Sequence, residues 1–244
     1  DPVLVMQVMG RKTGFIPAAA RLGDPERRMP LQIYMPESGY TLQDMPDLVN
    51  DELKRSGRCL VIVSEGFDVG SLGEKYDSFG HIDYAACEST VAQVVINHLN
   101  RQGLAARGTA RATVSGQDQR GTSIFASTVD LREAQEVGRH AVEVAMTAGS
   151  GWMSTILRRH GPTYKAFSDK VPLDRVANSD RTIPPHWLSR NKLDVTDEYV
   201  KYARPLIGEA WPAIVLEDGI QRFTRLDMVL ADKKCRPYTP EGHR

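Results

Sequence analysis

Apolar positions along the first part of the chain switch between two spacings, and that switching predicts its elements. Near-continuous apolar runs at residues 3–9, 31–35 and 59–63 predict strands, the last with the look of one buried on both faces of a parallel sheet. Between the runs, apolar residues recur three and four apart. Leu42, Met45, Leu48, Val49 and Leu53 share one helical face, with Thr41 and Asp44 placed as N-cap and third helical residue and Gly57 as the stop. Val91, Val94, Val95 and Leu99 predict a second helix ending at Gly103. Leu131, Ala134, Val137, Ala141, Val142 and Ala145 predict a third, opened by Ser127 and Asp130 and closed by Gly149. A short Ala-rich helix is expected over 14–22, with Pro17 in its first turn. Residues 109–116 read as a further strand and 152–157 as a weaker one. Residues 67–88 have no period and read as a loop long enough to be functional or mobile.

Strand and helix in alternation imply an α/β fold with a doubly wound parallel sheet, whose ligands bind outside the carboxyl ends of the strands. Beyond residue 160 the pattern degrades. Pro172, Pro184, Pro185, Pro205 and Pro212 punctuate one plausible helix at 194–203, and an irregular C-terminal extension follows. The chain opens at Asp1 and enters an apolar run within two residues, so it is expected to be the later part of a longer polypeptide.

Composition narrows the partners. The 31 Lys and Arg against 31 Asp and Glu give no net charge, which argues against a protein living on nucleic acid or on an anionic membrane. The run Lys233-Lys234-Cys235-Arg236 reads as a solvated tail. Three cysteines, Cys59, Cys87 and Cys235, are too few and too scattered for a disulfide framework or a zinc site, and a reducing cytoplasm fits best. No apolar run approaches the roughly 18–20 residues needed to cross a bilayer.

Three polar clusters directly follow apolar strands. In Met9-Gly10-Arg11, glycine lets the backbone approach a ligand, and Arg11 opens a helix whose first amides attract anions. Ser64-Glu65-Gly66 sets a carboxylate at the mouth of a strand, suited to sugar hydroxyls or a metal. Between Arg111 and Arg120, nine residues apart, a strand and turn carry two guanidinium groups able to fork onto phosphate. Alone, each cluster is also what a capped turn or a solvated arginine looks like. His81 and His98 are weaker candidates for a ligand or base.

Taken together and in this order, the clusters resemble the sugar-phosphate half of the phosphofructokinase family. Met9-Gly10-Arg11 is similar to that family's MGR motif, Met35-Pro36-Glu37 to its Pro-Glu, Ser64-Glu65-Gly66 to its sugar-contacting Glu, and Gln119-Arg120-Gly121 to its QRGG-type turn. The resemblance spans about residues 3 to 160. It implies that Met9 and Gly10 line the ring of fructose 6-phosphate, Arg11 reaches the transferring phosphoryl group as a catalytic residue, and Glu65 accepts from sugar hydroxyls. Arg120 would hold the 6-phosphate and Arg111 would reach it in a neighbouring subunit, making a homo-oligomer with shared sites. Magnesium would accompany the phosphoryl donor. Residues 11–15, the run at 64–70 and the extended C-terminus look more like pyrophosphate users than ATP users.

The departures are specific. Gln117 stands where many members have a phosphate-contacting His, Thr122 replaces the second Gly of the turn, and Gln7 stands where an acid is common. The family's Gly-rich donor loop and the segment with its catalytic base precede the MGR motif, so these residues name neither a base nor a metal ligand. The resemblance implies three parts: a sugar-phosphate domain at 1–117, a returning segment of the donor domain at 118–190 and a C-terminal extension at 191–244. The apolar face of the helix at 131–148 would then lack a cover. A chain of another class, binding the sugar phosphate for regulation without transfer, fits the same motifs.

Overall fold

Four strands, β1 (Val3–Val8), β2 (Leu31–Tyr34), β3 (Cys59–Ser64) and β4 (Ala110–Val114), form a parallel sheet in the order β2-β3-β1-β4. The structure is a computed structural model. It describes residues 1–234 except Asn178, Trp211, Thr224, Ala231 and Lys233, with only the backbone described at Gln117. Of the basic run at 233–236, only Lys234 is among the described residues, and Cys235 lies outside them.

The two central strands carry the continuous apolar runs because both their faces are covered. Val3, Val5, Val61 and Val63 are fully buried against Met45, Val49 and Leu53 of α2 (Met45–Ser56) and Val91, Val95 and Leu99 of α3 (Val91–Gln102). On the other side, Ile33 and Ile62 pack with Ala18 of α1 (Phe15–Ala18), Leu22, and a set from far along the chain: Ile183, Val195 and Tyr199. The last belongs to α6 (Asp197–Ala203), which is three residues shorter at its start than the helix expected from 194. The backbone beside it closes the sheet edge, since the Ile33 amide donates to the Leu193 carbonyl at 2.8 Å.

Helix ends follow local chemistry. Thr41 does not cap α2. The helix starts at Met45 with Asp44 as its N-cap residue, because Pro46 lacks an N–H and fits only in the first turn. The roles are reversed: Asp44 Oδ2 accepts from both the amide and the hydroxyl of Thr41, each at 2.7 Å. Gly57 ends α2 in the left-handed region, at φ 72°. In α5 (Thr128–Ala148) the expected cap forms, with Ser127 Oγ accepting from the amides of Val129 at 3.1 Å and Asp130 at 3.2 Å.

After α4 (Gly116–Gly121) and α5 the chain leaves the parallel sheet. The strand expected at 152–157 becomes β5 (Trp152–Arg158), half of an antiparallel hairpin with β6 (Ala166–Pro172), on which α5 packs. Leu131, Val142 and Met146 of α5 are exposed, Met146 at 82%, as expected for a helix with one face uncovered. Residues Ala213–Arg244 form a separate unit, in which β7 (Leu216–Glu217) and β8 (Ile220–Gln221) make a short hairpin braced by Arg222 on Glu217 at 3.0 Å.

Candidate active site

Register determines which residues meet. Val8 lies opposite Ser64 and Gln7 opposite Val114, so β1, β3 and β4 end along one edge and their polar continuations share it. At that edge Glu65 reaches across to the turn after β1. Its Oε1 accepts from the amides of Gly10 at 3.3 Å and Arg11 at 3.1 Å, and Ser64 Oγ donates to the Arg11 carbonyl at 3.2 Å. Arg11 is held at φ 46°, a conformation that an L-residue adopts only under local constraint, and these bonds supply it. The approach is close enough to require glycine at 66: a Cβ there would lie 1.7 Å from the Arg11 carbonyl oxygen.

A cavity of about 450 Å³ opens above this edge, lined by Met9, Arg11, Glu65 and Arg120 among others. Gly10 forms the turn beneath them. Glu65 Oε2 has no partner among the described residues, which leaves one carboxylate oxygen available to a ligand hydroxyl. Arg120 sits on α4, and the turn that carries it is tied down by the Met9 amide donating to Gln119 Oε1 at 3.0 Å. Neither Arg11 nor Arg120 makes an ion pair among the described residues. Two guanidinium groups that line one cavity without a direct ion pair among the described residues can fork onto an anionic ligand, even with Glu65, Asp77 and Asp83 on the same walls.

Arg111 is elsewhere. It lies opposite Leu4, before the carboxyl end of β4, outside the cavity, and pairs with Asp1 at 2.5 Å with its side chain 71% exposed. His81 is an exposed brace with Nδ1 3.6 Å from Asp77 Oδ2, and His98 is buried on α3; neither lines the cavity. Buried Cys59 has its thiol pushed up to about 12 by burial, so it is inert, while Cys87 lines the cavity.

A further part of the lining comes from the loop after β3, where sequence reasoning named His81 as a candidate and not the residues that line the cavity. Asp77, Ile82, Asp83, Tyr84 and Thr90 line it. Asp77 Oδ1 accepts from the amides of Phe79 and His81, each at 2.9 Å. The His81 amide is the largest reason its carboxyl sits below the usual range; burial opposes it and nearby Arg11 adds to it. Burial, followed by the Glu65 charge, raises the Tyr84 hydroxyl above its ordinary value. The only sequence signal for this wall was Asp and Gly alternating with aromatics immediately after a buried strand.

Behind the turn, Glu37 acts as a clamp. Its Oε1 accepts from the Gly14 amide and from the Ile183 amide, each at 3.0 Å, tying the Arg11 turn to the late segment of the chain. Tyr199 donates to the Phe15 carbonyl at 2.6 Å, and Trp187 meets the Phe15 ring edge-on at 6.4 Å between centroids.

A parallel sheet with a polar cavity at its carboxyl edge defines an α/β protein of the doubly wound kind, whose ligands bind outside the strand ends. Residues 1–145, more than half of the chain, match the family model described as Phosphofructokinase, and the chain belongs to the phosphofructokinase family. It is 32% identical over 220 residues to a pyrophosphate–fructose 6-phosphate 1-phosphotransferase of Rhodospirillum rubrum, covering 86% of this chain and 53% of that one. A protein of the same name from Xanthomonas campestris is 29% identical over 239 residues, covering 95% of this chain and 56% of that one. Among solved structures, the pyrophosphate-dependent phosphofructokinase of Nitrosospira multiformis superposes with a TM-score of 0.77 at 31% identity, covering 98% of this chain and 56% of the other. The chain thus spans about half the length of the curated relatives it matches. No helix among the described residues is long and apolar enough to cross a membrane.

Proposed function

We propose that this chain carries the fructose 6-phosphate-binding part of a pyrophosphate-dependent phosphofructokinase, a cytoplasmic glycolytic enzyme. The reaction moves the terminal phosphoryl group of pyrophosphate onto the sugar's 1-hydroxyl, forming fructose 1,6-bisphosphate and inorganic phosphate. The observation that carries this reading is the contact of Glu65 with the Gly10 and Arg11 amides, which joins two distant motifs into one wall of the cavity. Names of the relatives support the choice of pyrophosphate over ATP.

In this reading each side chain has a task. Glu65 Oε2 accepts from sugar hydroxyls while Oε1 keeps the turn in shape. Arg11 offsets the negative charge of the phosphoryl group in flight, and Met9 and Gly10 form the floor under the ring. Arg120 holds the 6-phosphate. The exposed Arg111 meets the same phosphate in a neighbouring subunit of a homo-oligomer, and residues 118–190 return to a donor domain that lies outside the sugar domain at 1–117.

Magnesium, implied by the family's chemistry, would neutralise the donor phosphates. The described residues contain no group of three or more His, Cys, Asp or Glu that could hold a metal, so no step here is routed through it. The test is formation of fructose 1,6-bisphosphate by the intact protein with magnesium and either pyrophosphate or ATP. Turnover with pyrophosphate is expected. Turnover with ATP alone would overturn the donor, and sugar-phosphate binding without turnover from either donor would replace the enzyme with a regulatory chain.

A further inference from the structure

Gln7 is a polar side chain buried to 5% exposure in the central strand of the sheet, and it lines the cavity. Its orientation is fixed by one bond. The Ala92 amide, in the first turn of α3, donates to Gln7 Oε1 at 2.9 Å, and only the oxygen of a carboxamide can accept. The amide nitrogen is therefore turned the other way. No described residue accepts from it, yet the one fully buried side-chain polar atom without a partner among the described residues is Glu37 Oε2. Gln7 Nε2 is thus open to the cavity, with two N–H donors and no acceptor for them among the described residues.

We infer that Gln7 is a specificity-determining residue whose side-chain NH2 donates to an oxygen of the substrate's phosphate ester. This rests on the sugar-phosphate reading above. Gln7 lies opposite Val114, just before the turn that carries Arg120, and the first turn of α3, with Thr90 as its cap, opens on the same cavity. The carboxyl groups of Glu65, Asp77 and Asp83 already outnumber the guanidinium groups of Arg11 and Arg120 on its walls. An acid at position 7 would accept the Ala92 amide equally well. Its second oxygen would set one more negative charge against a phosphate. Glutamine keeps the helix contact and replaces that charge with donors, which makes the cavity more hospitable to an anion.

The substitution Gln7→Glu separates the two roles of the side chain, because a carboxylate can still hold α3 and is favoured at a helix N-terminus. In the intact protein, fructose 6-phosphate affinity is expected to fall roughly ten- to a hundredfold, while the thermal midpoint stays level or rises. An affinity within twofold of the unaltered protein would overturn the inference while leaving the substrate reading in place. If the unaltered protein fails to bind fructose 6-phosphate, both fall together. A measurement without any variant covers the case in which Gln7→Glu does not fold: the ¹⁵N side-chain amide signal of Gln7 is expected to shift on adding fructose 6-phosphate. A signal that stays in place while backbone amides at Gly10 and Arg11 move would overturn the inference.

Discussion

The carboxyl edge of β1 and β3 and the layer made by α5 and the β5–β6 hairpin use apolar residues in opposite circumstances. Around the first, Val3, Val5, Val61 and Val63 are fully buried and the backbone at Gly66 lies directly against the Arg11 carbonyl. In the second, an amphipathic helix of 21 residues buries only Val129, Glu133 and Val144, while Leu131, Val142 and Met146 face outward. The helix is held by its cap and by polar contacts, among them Tyr164 donating to Glu133 at 2.7 Å. Apolar periodicity therefore reports a surface meant to be covered, and says nothing about what supplies the cover.

The largest effect should come from the tightest point of the first region. Gly66→Ala drives a Cβ into the Arg11 carbonyl, and a loss of about 3 kcal/mol or more is expected in denaturant melts, together with loss of sugar-phosphate binding. A variant with an unaltered midpoint would mean that the turn after β1 has slack. Arg120→Ala comes next, and it should act on affinity alone. Fructose 6-phosphate binding is expected to weaken on the order of 100-fold at unchanged stability, because the side chain is exposed and unpaired. A change below threefold would remove Arg120 from the site.

A pair of truncations separates the two regions. Val61→Ala should cost about 2 kcal/mol, since it empties a closed core, whereas Met146→Ala on the exposed face should stay within about 0.5 kcal/mol in this chain alone. A much larger cost for the Met146 change in the intact protein would show that a further surface packs there. The smallest effect is a pH dependence. Because the Asp77 carboxyl is held below its ordinary range, chiefly by the His81 amide, its contribution is present above that range and lost as pH falls through the lowered value. Protection of the Phe79 and His81 amides, measured against the intrinsic exchange rate at each pH, should therefore fall on acidification, and Asp77→Asn should remove that dependence. Protection that falls equally in the variant would assign the acid sensitivity to another group.

Much of the sheet was legible because burial on both faces leaves unbroken runs such as residues 59–63, and helix stops such as Gly57 announce themselves through the left-handed turn. Proline overrode the expected cap at Thr41, a local rule that a longer look at Pro46 supplies. β6 was missed because Ala166–Pro172 mixes charges with apolar residues on a half-exposed hairpin. The late segment that covers one face of the sheet left no period, since Ile183 and Val195 act from irregular backbone and only Tyr199 from a short helix. At the site, residue types were legible and partnerships were not. Glu65 was expected to serve a sugar, yet half of its carboxylate holds backbone 54 and 55 positions away, a pairing set by strand register. The wall from Asp77 to Thr90 had no motif because its form comes from hydrogen bonds within a loop.

The clamp behind the Arg11 turn gives the molecule an optical property. Trp187 lies against Phe15, four residues from Arg11, and is ringed by His186, Tyr199 and Tyr202. An indole so enclosed emits according to the polarity and quenching groups around it, and the chain segment bearing it is tied through Glu37 to the amide of Gly14. A ligand that shifts the turn would act on the ring stack through these bonds, so with Trp152 and Trp211 replaced, the emission of Trp187 would serve as a gauge of occupancy read from behind the turn.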